Sequence, residues 1–73
     1  MTVTVTVGQG FKYVLARDIQ SVGGTHVSRW RYDVTSTEVS VECRYKSADF
    51  LQRRLWDLGY SWVSVKPFAR DSD

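Results

Sequence analysis

Residues 2–7 read Thr-Val-Thr-Val-Thr-Val, and a strict two-residue alternation over that length is a strand signal. A helix repeats every 3.6 residues and would scatter these valines around its circumference. β-branched side chains also fit extended backbone, where their restricted χ1 costs little. Val3, Val5 and Val7 therefore share one face of a strand that Gly8 and Gly10 interrupt. Two placements follow. One is an edge strand of the chain's own sheet. The other is a β-prone N-terminal arm over residues 1–10, whose Val3, Val5 and Val7 join a partner's sheet edge.

A 73-residue chain makes one domain, 1–73, near the lower limit for folding unaided. Such a chain buries only about 60 % of the surface it exposes when unfolded, so nearly all apolar residues go to one core. Ten aromatics, three of them tryptophans, supply large buried area per residue and equally good binding anchors. Ten basic against eight acidic residues leave a net charge of +2, which permits nucleic-acid contact without arguing for it. Cys43 is the sole cysteine, which rules out an intramolecular disulfide and fits a reducing compartment. The first residues lack the basic start and apolar run of a signal peptide, and nothing approaches the ~20 apolar residues of a bilayer span. A cytoplasmic protein without a membrane association is expected.

Residues 11–22 carry two periodicities. Phe11, Val14, Leu15, Ile19 and Val22 fit a helix, while Phe11, Tyr13 and Leu15 fit a strand. Gly23-Gly24 can end a helix or form a two-residue hairpin turn. With the hairpin, Leu15 meets Tyr32, Tyr13 meets Val34, and Asp18 meets Arg29, which matches apolar faces and opposite charges. That register favours a strand. Trp30, Tyr32 and Val34 then alternate with charged residues, as do Val39, Val41, Cys43 and Tyr45, and Thr35–Glu38 makes the connecting turn. Ser47 caps a helix with Asp49 in its first turn and Leu51, Leu55 and Leu58 as its apolar stripe. Gly59 ends it. Tyr60 to Lys66 form a last strand, with Val63 and Val65 on one face and Tyr60, Trp62 and Ser64 on the other. Pro67 stops that strand, and residues 68–73 read as a short polar tail. The expected fold is α+β: an antiparallel sheet of three to four strands with one helix on one face, in the order β-β-β-α-β. If residues 11–22 are helical, the order becomes the ferredoxin-like β-α-β-β-α-β.

No catalytic, cofactor or metal constellation emerges. His26 and Cys43, the only histidine and cysteine, are the first base–nucleophile pair to test, but Cys43 falls on an inward face and His26 lies a strand or more away. Glu38 and Glu42 share a strand face about 13 Å apart, too wide for a paired-carboxylate hydrolase. Gly8-Gln9-Gly10 lacks the third glycine and the βαβ setting of a dinucleotide fingerprint. A non-catalytic binding domain is therefore expected. Its first candidate surface is aromatic. Trp56 lies on the helix away from the leucine stripe, near Gln52 and Arg53, and Trp62 with Tyr60 lies opposite Val63 and Val65. Exposed aromatics beside arginine have the composition of protein-binding hot spots, which selects Arg53, Trp56 and Trp62. The second candidate is a basic hairpin face of Arg29, Arg31, Arg44 and Lys46, suited to phosphate or nucleic acid.

In size and layout, and in stretches such as Val39-Ser40-Val41-Glu42-Cys43 and Trp56-Asp57-Leu58-Gly59-Tyr60, the chain resembles small phage-encoded regulators of bacterial RNA polymerase. The resemblance implies a monomer without cofactors, acting in the host bacterial cytoplasm. It would bind the polymerase, inhibit sigma-dependent initiation and promote antitermination. A small nucleic-acid-binding module and an inhibitor of another host complex, such as an immune effector, are the alternatives.

Overall fold

The computed structural model describes residues 1–28 and 37–68. They form a two-layer α+β fold with a three-stranded antiparallel sheet in the order β2-β1-β3 and two α-helices. The elements are β1 (Thr2–Gly8), α1 (Lys12–Ser21, entered through a 3₁₀ turn at Gln9–Phe11), β2 (Glu38–Arg44), α2 (Ala48–Asp57) and β3 (Val63–Pro67).

The alternating run forms β1, which is neither an edge strand nor an arm. It is the central strand, pairing with β2 along one side (Val3 with Cys43, Val5 with Val41) and with β3 along the other (Val5 with Val65). Val3, Val5 and Val7 are completely buried, and so cannot be the partner-binding residues that an N-terminal arm would offer. Their face is the core, closed by Val39, Val41 and Cys43 of β2, Val63 and Val65 of β3, and Leu15, Ile19, Leu51 and Leu55 from the helices. Thr2, Thr4 and Thr6 point the other way, onto a sheet face lined with hydroxyls and charges.

Residues 12–21 are helix, so the strand and the Gly23-Gly24 hairpin are corrected. With both flanks of β1 taken by β2 and β3, the valine face still needs a cover. A helix supplies it by placing Leu15 and Ile19 on one stripe, with Phe11, Val14 and Val22 packed against the core. Gly23 and Gly24 end α1 as a Schellman motif: Gly24 N–H donates to Ile19 O at 2.8 Å, and Gly23 N–H to Gln20 O at 3.1 Å. Gly23 has φ +103°, and a Cβ on Gly24 would overlap the Ile19 side chain. The helix and the antiparallel pairing of β1 with both of its neighbours agree with the ferredoxin-like alternative, whose strand between α1 and β2 would fall outside the described residues. Antiparallel partners on both sides of β1 make β2-α2-β3 a split β-α-β unit. The predicted strand through Trp30, Tyr32 and Val34 and its turn to residue 37 lie outside the described residues. Thr25 and Ser28 do reach the outer side of β2, bonding to Arg44 and Glu42.

α2 begins at Ser47, whose hydroxyl accepts from Phe50 N–H at 3.2 Å. Its buried stripe is Ala48, Leu51 and Leu55. Leu58, expected in that stripe, is 49 % exposed because the helix stops at Asp57. A second Schellman motif turns the chain: Gly59 N–H donates to Trp56 O, and Tyr60 N–H to Leu55 O. That turn carries Tyr60 into the core, 3 % exposed, where its ring lies 4.6 Å from Phe11 and its hydroxyl donates to Asp18 at 2.7 Å. Tyr60 therefore does not share an outward strand face with Trp62.

The two glycine caps should respond differently to a methyl group. Gly59 has φ +103° with open space around it, so Gly59→Ala is expected to cost about 1 kcal/mol through backbone strain alone. Gly24→Ala must displace Ile19 and is expected to cost about 2–3 kcal/mol. Denaturant midpoints of the two variants check the order.

Candidate functional site

Strand β3 is an edge strand, and its outer side is defended. Phe68 N–H donates to Thr2 O, so the ladder bonds to β1 fall at the even-numbered residues of β3. The N–H groups of Val63 and Val65 therefore point outward, and so does position 67, where proline has none. Val65 N–H donates to Gln52 Oε1 of α2 at 3.2 Å. Pro67 does not end the ladder, because its missing N–H falls on the side that β1 does not use. A blocked donor and a proline are the means by which natural edges discourage strand addition. Pairing by strand addition is thus unsupported at β3 as it is at β1.

Among the described residues, two tryptophans face outward. On α2, Asp49, Gln52, Arg53 and Trp56 follow helical spacing and line a depression of about 210 Å³. The Gln52 bond to β3 fixes this helical face over the sheet edge. Trp56 is 51 % exposed and Arg53 is exposed beside it. Trp62, 49 % exposed, instead lines a concavity of about 310 Å³ on the open face of the sheet. The predicted aromatic cluster is therefore two separate anchors. Phe50, 42 % exposed, adds a third apolar surface near the start of α2, where Lys46 Nζ stands 4.5 Å above its ring.

The basic face does not assemble among the described residues. Arg44, paired with Thr2, belongs to the open sheet face, whereas Lys46 sits over Phe50. Arg29 and Arg31 lie outside the described residues. The candidate chemistry is equally dispersed. His26, exposed and with φ +54°, bonds its neighbour Thr25 (Nδ1 to Oγ1, 3.2 Å), while Cys43 is 1 % exposed in the core. Burial pushes the Cys43 thiol up to about 11, the reverse of what a nucleophile needs. Burial, reinforced by the bond to Asp18, also raises the Tyr60 hydroxyl, which keeps its proton and serves as a donor. No group of three or more metal-ligating side chains occurs among the described residues. No described helix is long and apolar enough to cross a membrane.

No family model matches the chain, and no curated protein or solved structure matches it.

Proposed function

We propose that this chain is a non-catalytic regulator that works by binding another protein, with Trp56 and Arg53 of α2 and the separate Trp62 as its anchors. The supporting observation is that a chain this small leaves Trp56 and Trp62 half exposed, while fifteen other apolar residues among those described close its core. Half-exposed tryptophans cost solubility and contribute little to packing, and tryptophan and arginine dominate binding hot spots. The resemblance to small phage regulators makes bacterial RNA polymerase the specific partner proposed. Binding would block sigma-dependent initiation by steric means and favour read-through of terminators.

Capture from a bacterial lysate on the tagged protein, washed at high salt, should retain polymerase subunits. Purified polymerase should then lose initiation at a sigma-dependent promoter as the protein is added. Trp56→Ala is expected to weaken binding by about 2 kcal/mol or more, roughly 30-fold in Kd, with the denaturant midpoint nearly unchanged. Equal binding by Trp56→Ala and the parent chain would remove the α2 surface. Capture of nucleic acid alone, lost in the salt wash, would remove the protein-binding reading.

A further inference from the structure

On the open face of the sheet, the even-numbered residues stand in rows across the three strands. One row is Ser40, Thr6 and Ser64, and the next is Glu42, Thr4 and Lys66. Gly8, paired with Glu38, continues the middle strand without a side chain, and a Cβ built there meets nothing within 4 Å. Trp62 stands at the same end of the sheet, one residue before the Val63 that pairs with Val7. A concavity of about 310 Å³ lined by Trp62, Glu38, Thr6 and Ser64 opens at this end and runs on to Thr4 and Lys66. Its volume is at the bottom of the range for ligand sites, enough for one side chain and too small for a large cofactor.

We infer that this notch receives an arginine side chain of the partner protein, stacked on Trp62 and donating to Glu38. The inference rests on the protein-binding reading above. Tryptophan offers the best face for a cation, and guanidinium is the cation that stacks as a plane. Strands lie 4.7–4.9 Å apart, so with Gly8 between them the backbones bearing Glu38 and Trp62 are about 10 Å apart, which admits a planar group. A carboxylate has about four acceptor sites, so Glu38 can take a guanidinium in addition to the contact it makes within the chain. Thr6 and Ser64 present further acceptors beneath it. Lys66 lines the same concavity from the Thr4 row, its backbone about 13 Å along the chain from Trp62, so its ammonium enters from the end opposite Glu38. Glu38 opposes an anionic occupant such as a nucleotide.

Two measurements test it. In the first, the ¹⁵N-labelled chain is titrated with N-acetylarginine amide, its neutral citrulline counterpart, and an oligothymidylate. The Trp62 indole and Gly8 amide resonances should shift saturably with arginine, about tenfold more weakly with citrulline, and not with the oligonucleotide. Glu38→Gln and Gly8→Thr should abolish the shift, while Trp56→Ala should retain it. Gly8 lies outside the left-handed region and faces open space, so Gly8→Thr fills the notch without unfolding the chain, and an unlowered melting temperature confirms that. In the second, Gly8→Thr and Glu38→Gln should recover less polymerase than the parent chain. If the parent captures polymerase and both variants capture it equally, the notch is overturned and the protein-binding reading stands. If the parent captures nothing, that reading fails, and the titration alone decides the notch. No saturable shift, an equal response to citrulline, or a shift with the oligonucleotide overturns it.

Discussion

Val5→Asp is expected to leave the chain unfolded at neutral pH, while Thr4→Asp, one residue away, is expected to fold. Val5 is completely buried between Val41 and Val65 in the middle of the sheet. Its replacement removes about 1.5–3 kcal/mol of apolar burial and places an unpaired carboxylate in the core, at a cost of several kcal/mol more. A domain of 73 residues has roughly 4–11 kcal/mol of stability, which such a loss largely consumes. Thr4 lies on the open face between Glu42 and Lys66, so a carboxylate there meets one repulsive and one attractive neighbour. Its net cost should stay within about 1 kcal/mol. Far-UV circular dichroism and denaturant titration distinguish the two. A folded Val5→Asp variant would mean that β1 does not form the centre of the sheet.

Stability is also expected to fall as pH rises above about 9. The Cys43 thiol is raised from 9.0 to about 11 by burial, so the folded chain keeps that proton where the unfolded chain releases it. Its contribution is therefore complete below pH 9 and is lost as pH rises through about 11, a change of roughly 3 kcal/mol. Tyr60, raised by burial and by its bond to Asp18, adds a loss of the same sign that begins only above its ordinary value of 10.0. Denaturant midpoints at pH 7, 9 and 10 should decline for the parent chain and decline less for Cys43→Ala, which starts lower because it leaves a small cavity. Parallel declines would place the alkaline sensitivity elsewhere. The same burial predicts that a thiol reagent modifies Cys43 only through unfolding.

The parts of this fold that could be read from the chain are those decided by neighbouring residues. Alternation in residues 2–7 specified β1 and its inward face, because a strand's side-chain period is a local property. Ser47 and Asp49 specified where α2 begins, because a cap acts within one turn. The parity of Val39, Val41 and Cys43 specified their burial in the same way. Trp56 and Arg53 were legible as an outward face because α2 has a clear apolar stripe opposite them. Residues 11–22 were different, because a left-handed glycine serves a Schellman cap and a hairpin turn alike, and their apolar residues fit both periods. Only the sheet chose between them, since a central β1 with two partners needs a helix, not a third strand, over its valines. The same holds for Tyr60, whose parity pointed outward until the turn at Gly59 carried it into the core beside α1. It holds too for the notch at Gly8, where Glu38 and Trp62 come from segments far apart in the chain. Local periodicity determines which face of an element is apolar. Which elements become neighbours, and which surfaces remain to bind, depends on long-range pairing that no short stretch of sequence contains.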